Sequence, residues 1–466
     1  DFMFACAMYP GDKAFAKSVS DEAEFQVRRL SHHPSVVLWC GNNENSEGWA
    51  RWGWQSDLGW WERRRVEKSY HRIFHDILPQ RVEAYSDLPY WESSPMLGRG
   101  DPEHEFRGDA HYWGVWHDAE PFEVLEQRVP RFMSEFGFQS FPSMHTIATF
   151  TDTADLNLSN PDLLNHEKHP RGISLINLYM ERDFGIVPQS VADYSMLSRF
   201  QQAVGIGKGL RAHRRSQPTC MGTLYWQLND CWPVVSWSSM EYDGRKKPLH
   251  WEVKHVFAPQ LLDCTIDSTG FKAFLIDDQS SLKSDSNSML FACELVQCTL
   301  NGDTLKHMQW THDYLGLPSE EVGNVPLDSL IVDRFPTSYY SLQLAQHGTK
   351  QFECHGLFAS YKIAELRQPK IDGKVFVLTN QNQVIIAITA DQYVSGLWFE
   401  SKIGGTFSDN YIDLIPNVGK AIRFMPVSEN WSSELGIPEG ITTIDLEDNP
   451  FFEVQSINTL LHQDID

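Results

Sequence analysis

His33-Pro34-Ser35-Val36-Val37-Leu38-Trp39-Cys40-Gly41-Asn42-Asn43-Glu44-Asn45 is the stretch whose reading decides the fold. Residues 36–40 are apolar without interruption and are closed by Gly and Asn, the pattern of a strand buried on both faces. Glu44 stands just past the strand's end, where parallel α/β barrels carry their catalytic groups. Upstream, Ser18-Val19-Ser20-Asp21 offers helix caps, and Asp21, Glu22 and Glu24 follow in a first turn. Arg28, Arg29, His32 and His33 lie near the last turn, Ala23, Val27 and Leu30 make one apolar stripe, and Pro34 stops the helix.

A second stretch has the same form. Arg131-Phe132-Met133-Ser134-Glu135-Phe136-Gly137 is a short apolar run that ends in a carboxylate with Gly at the turn. Glu44 and Glu135 are 91 positions apart (135 − 44). At about 30 residues per β/α unit, that fits a step of three strands.

These words resemble a known family. Gly41-Asn42-Asn43-Glu44-Asn45 is similar to the acid/base signature of the β-mannosidases of glycoside hydrolase family 2, and Ser134-Glu135-Phe136-Gly137 to their seventh-strand nucleophile motif. Residues 90–95, 108–117 and 221–233 resemble the fifth, sixth and eighth strands. The resemblance implies a multidomain chain: a (β/α)8 TIM barrel followed by β-sandwich immunoglobulin-like domains. It implies a retaining exo-β-mannosidase with Glu44 as acid/base and Glu135 as nucleophile, their carboxyl groups about 5 Å apart as retention requires. In that scheme Glu44 holds its proton while Glu135 is ionised. Asn43 would bind the sugar 2-hydroxyl, His111 and Trp113 would line the barrel mouth, and Trp226 would floor the sugar site. Trp52 is favoured among Trp49, Trp52, Trp54, Trp60 and Trp61, since sugar rings stack on indoles. Asp1 is counted with the substrate-binding residues. No cofactor and no metal is required. Another family 2 exo-glycosidase, such as a β-galactosidase or β-glucuronidase, and a non-catalytic carbohydrate-binding protein are the alternatives; Glu47 and Glu92 are neighbouring decoys.

The opening Asp1-Phe2-Met3-Phe4-Ala5-Cys6-Ala7-Met8-Tyr9-Pro10 resembles the exit of the family's third barrel strand. The resemblance therefore predicts that an N-terminal polypeptide of the same protein completes the barrel. The expected domains are 1–260, a barrel portion with strands four to eight, then immunoglobulin-like modules at 261–355 and 356–466. Beyond residue 264 the apolar pattern does become short and alternating, at 271–276, 289–296, 339–344, 375–378, 384–388 and 397–399, as sandwiches require.

Composition bounds the partners. A formal charge of −23 disfavours nucleic acid and leaves a neutral sugar indifferent. No apolar run approaches the roughly 18 residues that cross a bilayer. The eight cysteines are too dispersed for a disulfide scaffold, with Cys40 and Cys220 expected as buried thiols. Sequons at Asn157 and Asn430 raise a secreted or lysosomal/vacuolar location, as does the resemblance. Helices are expected at 62–78, 192–210 and 248–255, and an irregular segment at 152–187. Within that segment His166-Glu167-Lys168-His169 has histidines three apart before Pro170, which suits a surface loop rather than a zinc helix. The glycines at 205, 207 and 209 close a helix instead of opening one, which disfavours a phosphate cradle.

Overall fold

The computed structural model describes residues 1–154, 156–278, 289–428, 431–434, 437 and 440–462. They divide into two compact units, one of residues 1–118, 124–136 and 219–225, the other of residues 119–123, 137–218 and 226–466.

In the first unit helices alternate with very short parallel strands. Helix α1, Lys13–Leu30, begins earlier than the sequence suggests, because Asp12 caps it: its Oδ1 accepts from the backbone N–H of Ala14 at 2.9 Å and of Phe15 at 3.0 Å. Ser18 and Ser20 thus lie inside the helix. Ala16, Val19, Ala23 and Val27 form its buried stripe, and the last three meet Phe2, Trp39, Ile73, Phe74, Leu78 and Val82 in one core. Strand β1 is only Trp39–Cys40. The expected strand over 36–40 is corrected here: the turn in which Val36 N–H bonds His33 C=O holds residues 36–38 off the ladder, and Val37 is 68 % exposed.

After β1 come α2, Asn45–Arg51, and α3, Trp60–His71. A π-helical turn over Arg72–Ile77 links α3 to α4, Leu78–Tyr85, so the helix expected over 62–78 runs seven residues further. Pro79, which has no N–H for the ladder, sits at the start of α4. Strand β2, Tyr90–Trp91, pairs in parallel with β1, and β3, Ala110–His111, is followed by the short helices α5, Gly114–His117, and α6, Val124–Gln127. Strand β4, Met133–Glu135, pairs in parallel with β3. Isolated parallel bridges extend the series: Ala5 with Asn43, Asn43 with Ser94, and Met133 with Thr223. Parallel neighbours joined by helices bring their C-terminal ends to one edge, and Glu44, His111 and Glu135 all stand there. The backbones approach so closely at Gly41 that a Cβ would lie 2.4 Å from the carbonyl oxygen of Glu92.

The second unit opens with α7, Met144–Ile147, α8, Pro161–Asn165, and α9, Gly172–Asp183. The segment expected to be irregular therefore holds two helices. Asn160 caps α8, and Leu175, Ile176, Tyr179 and Met180 bury one face of α9. Helix α10, Val191–Arg215, is capped by Ser190 and passes through Gly205 and Gly207 without ending. These glycines serve close packing: a Cβ at 205 would lie 2.1 Å from the Phe122 ring. Gly205→Ala should lower the thermal midpoint, because overpacking costs about 1–3 kcal/mol and outweighs the roughly 1 kcal/mol of helix propensity gained. A raised midpoint would contradict this packing account. His213, also on α10, is 1 % exposed. Burial, with the nearby charge of Arg215, pushes its pKa down to about 3. The unfolded chain therefore takes up a proton that the folded chain refuses, and stability falls as pH drops below 6.5. At pH 5 the cost is about 2 kcal/mol; His213→Gln should flatten that slope in denaturation measured from pH 7 to 5.

Helix α11, Pro248–Val256, precedes the sandwiches. The first packs β5 (Gln260–Asp267), β6 (Gly270–Asp277) and β9 (Ser319–Pro326) against β7 (Met289–Thr299), β8 (Thr304–Tyr314), β10 (Ser338–Gln346) and β11 (Thr349–Leu357). Leu262, Phe271, Phe291 and Leu342 share its core, and a Cys264–Cys354 disulfide joins the two sheets. Strand β11 runs through residue 355. The second sandwich packs β12 (Ile371–Leu378), β13 (Gln383–Ala390), β15 (Gly405–Phe407), β17 (Lys420–Pro426) and β18 (Ile441–Asp445) in one sheet. Its other sheet is β14 (Val394–Ser401), β16 (Ile412–Leu414) and β19 (Phe452–Gln455), over a core that includes Val375, Ile386, Leu397 and Phe424. Cys40 and Cys220 are buried free thiols. No helix among the described residues is long and apolar enough to cross a membrane.

Candidate active site

The string Gly41-Asn42-Asn43-Glu44-Asn45 divides its work residue by residue. Asn42 is fully buried; its Oδ1 accepts from the N–H of Asn45 at 3.0 Å and from Ser93 Oγ at 2.9 Å, and its Nδ2 donates to the Glu92 carbonyl at 2.7 Å. That clamp satisfies the start of α2, so the side chain of Glu44 is not used as a cap. Glu44 instead takes a left-handed backbone, φ 59° and ψ 9°, an uncommon conformation for a residue with a side chain and one found at ligand sites. Asn45 Oδ1 accepts from Ala7 N–H at 3.0 Å and ties the first segment of the chain to the same loop.

Glu44 and Glu135 are both nearly buried and converge on His111. His111 Nδ1 lies 2.8 Å from Glu44 Oε1 and 3.3 Å from Glu135 Oε2. One oxygen of each carboxylate and one ring nitrogen of His111 all lie within 4.8 Å of one another. Trp113 Nε1 donates to Glu135 Oε2 at 3.0 Å, and Tyr112 N–H donates to the Glu135 carbonyl at 2.7 Å. Cys6 Sγ donates to Glu44 Oε2 at 3.5 Å, and Asn43 Nδ2 lies 3.7 Å from the same sulfur.

Electrostatics follow from this crowding. Burial pushes the pKa of Glu135 up and the adjacent Glu44 charge adds to it; His111 and the Trp113 N–H oppose the shift without cancelling it. For His111 burial pushes down, but the hydrogen bond to Glu44 and the charges of Glu135, Glu44 and Asp109 outweigh it, so its pKa is raised. The family resemblance implies a readily ionised Glu135; burial works against that, and the charge of His111 offsets only part of it.

Two carboxylates and an imidazole are also donor types that a divalent cation accepts. A cation there would need Nδ1 bare and would displace the Nδ1 contact with Glu44.

Of the other residues singled out in the sequence, His111 and Trp113 contact the carboxylates, and the Asn43 amide reaches the Cys6 sulfur that bonds Glu44. Trp52 does not: it ends α2, is 46 % exposed, and its described ring contact is with Trp54. Asp1 is exposed, with no described hydrogen bond or ion pair to either carboxylate. Trp226 belongs to the second unit and is 41 % exposed. Glu47 pairs with Arg51 and Glu92 with His75. In the tetrad at 166–169 Lys168 is exposed and the other three are half-buried: His166 Nδ1 donates to the Pro233 carbonyl at 2.6 Å, and Glu167 accepts from Ile173 N–H at the start of α9. Asn157 is exposed, whereas Asn430 lies outside the described residues. Sequence reading missed Ser94 and Asp109. Ser94 Oγ donates to Asp109 Oδ2 at 2.6 Å and lies 3.1 Å from His111 Nε2. The available signal was Asp109 itself, two positions before His111 and so on the same face of an extended segment.

Comparison with known proteins shows what the chain is similar to. Residues 366–449 match the mannosidase immunoglobulin-fold domain family. Beta-mannosidase B of Aspergillus clavatus is 27 % identical over 439 residues, covering 89 % of this chain and 51 % of the relative. The beta-mannosidase of Bos taurus is 32 % identical over 315 residues, covering 62 % of this chain and 35 % of the relative. The crystal structure of a beta-D-mannosidase from Dictyoglomus thermophilum superposes with a TM-score of 0.76 at 28 % identity, over 96 % of this chain and 52 % of that one. The chain is thus similar to beta-mannosidases along most of its length. It spans about half the length of the relatives it matches. The second sandwich is the part of the chain that matches this immunoglobulin-fold domain.

Proposed function

We propose that this chain carries the acid/base, Glu44, and the nucleophile, Glu135, of a retaining exo-β-mannosidase that removes terminal non-reducing β-D-mannose from manno-oligosaccharides or glycans. The observation that carries the reading is the short gap between the two carboxylates, oxygen to oxygen within 4.8 Å across His111. Retaining glycosidases hold their carboxyl groups about 5–5.5 Å apart, whereas inverting ones leave room for a water at about 6.5–9.5 Å. In the first step Glu135 Oε forms a bond to the anomeric carbon as the glycosidic C–O bond breaks, and Glu44 gives its proton to the departing oxygen. In the second, Glu44 takes a proton from water, the water oxygen attacks the anomeric carbon, and the ester to Glu135 breaks. Glu135 must be ionised to attack, and the site must hold one proton to give. The raised pKa values of Glu135 and His111 therefore predict a bell-shaped kcat/KM profile. Its acid limb lies above the usual carboxylate range and its basic limb above pH 6.5. Limbs at ordinary carboxylate and histidine values would contradict it.

The parallel series in the first unit supports assigning it to one arc of a (β/α)8 barrel. Large apolar side chains are exposed beside both ends of that series: Met3 near Ala5, and Met221 and Leu224 flanking Thr223. Exposed apolar side chains of this size call for cover. We assign that role to a further N-terminal polypeptide of the same protein. The inter-sheet disulfide and the exposed sequon at Asn157 favour an oxidising, secreted or lysosomal/vacuolar setting. A panel of nitrophenyl glycosides tests the substrate. Cleavage of the β-mannoside ahead of β-galactoside, β-glucuronide and β-glucosaminide is expected, and preference for any of the others would overturn the assignment.

A further inference from the structure

Three hydrogen-bonded residues behind the carboxylates fix where the site keeps its proton. Asp109 is 1 % exposed and is matched by hydrogen bonds rather than by a described cation. Its Oδ1 accepts from Met96 N–H at 2.8 Å, and its Oδ2 accepts from Ser94 Oγ and from Ser134 Oγ, each at 2.6 Å. A serine hydroxyl has one hydrogen. Having given it to Asp109, Ser94 Oγ can only accept from His111 Nε2, 3.1 Å away. The ring therefore carries hydrogen on Nε2, and Nδ1 is the atom that faces both Glu44 and Glu135. Three lone-pair-bearing atoms within 2.8 and 3.3 Å need a proton among them.

We propose that Asp109, acting through Ser94, locks His111 with its hydrogen on Nε2 and so confines one exchangeable proton to the space between His111 Nδ1, Glu44 and Glu135. Asp109 and Ser94 are positioning residues: they touch His111 rather than the sugar. The assignment rests on the acid/base and nucleophile roles given above and adds how the acid is loaded. With one proton among the three groups, transfer to Glu44 leaves Glu135 ionised for attack and His111 neutral. As Glu135 is esterified that proton leaves with the departing oxygen and the Glu135 charge is lost to the ester, so Glu44 is left without its proton beside a neutral group and can take one from water in the second step. The titratable groups that face His111 are Glu44 after β1, Glu135 at the end of β4 and Asp109 on its own segment. Cys6, on the opposite side of Glu44, stays a thiol, since burial and the Glu44 charge push its pKa up to about 11.

The test joins a spectroscopic readout to a kinetic one. The protein is labelled with ¹⁵N-histidine, and His111 is assigned by the signal that His111→Gln removes. In the parent, Nε2 should be protonated at neutral pH. Asp109→Asn, which removes the anion that orients the Ser94 hydroxyl, should lose that protonation and move the basic limb of kcat/KM down by about one pH unit. Ser94→Ala should do the same and Ser94→Thr should restore the parent values. Ser134→Ala removes the other hydroxyl on Asp109 and leaves Ser94 in place, so it should keep the limb where the parent has it. A bare Nε2 in the parent overturns the proposal. So does an Asp109→Asn or Ser94→Ala protein that melts near the parent and keeps both Nε2 protonation and the basic limb. Because the nitrogen signal needs no turnover, a protein inactive on every glycoside with Nε2 protonated would sink the functional reading while supporting this proton placement.

Discussion

Glu135→Ala is expected to lose on the order of 10⁵-fold in kcat/KM toward aryl β-mannosides, because no other group can supply the bond that forms to the anomeric carbon. The loss should hold for every leaving group, good or poor, since attack itself is removed. Folding should survive: Glu135 is a buried carboxylate with a raised pKa, so its removal takes away an electrostatic cost as well as the contacts to Trp113 and His111. Azide can enter the space left by the side chain and displace the leaving group once, giving an α-mannosyl azide. Undiminished turnover of dinitrophenyl β-mannoside by a folded Glu135→Ala protein would remove Glu135 from its role.

Glu44→Ala should separate substrates instead. Loss of the general acid costs about 10²–10⁴-fold where the leaving oxygen needs a proton. It should cost little in the first step for dinitrophenyl β-mannoside, whose leaving group departs unprotonated. The glycosyl-enzyme then accumulates, because water has lost its base, and azide should release it as a β-mannosyl azide. The two products differ in configuration because one variant reacts by a single displacement and the other by two. An α-azide from Glu44→Ala together with a β-azide from Glu135→Ala would exchange the two assignments.

Much of this site could be read in the chain because its carboxylates follow strand-like runs and keep local signatures, a Gly-Asn-Asn-Glu string and a Ser-Glu-Phe-Gly string. The sandwich strands were legible for a similar reason: alternation with period two is imposed locally by a sheet with one buried face. What failed was non-local or was masked by a neighbour. Asp12 caps α1 although Lys13 follows it, so the charge pattern of the first turn pointed further along, to Asp21. Asn160 and Pro161 were a cap and an N1 proline in a stretch otherwise dense with polar residues. Tryptophan density after Glu44 could not say which ring faces inward. Trp54 packs on Gly48 of α2, where a Cβ would be 2.7 Å from the ring, and Trp52 at the helix end turns to solvent. The Cys264–Cys354 bond spans 90 residues and is set by the facing of two sheets. The path from Asp109 through Ser94 to His111 needs segments from two separate strand ends to meet, and no spacing rule announces it.

We propose that Glu44 and Glu135 cleave a β-mannoside by two displacements. The stereochemistry of the first-formed product tests it most directly. A proton NMR time course of aryl β-mannoside hydrolysis resolves the anomeric signals of free mannose before mutarotation mixes them. This site, with its carboxylates closed around His111, predicts that β-mannose appears first and the α-anomer grows in later. Initial release of α-mannose would mean a single displacement by water and would contradict the account.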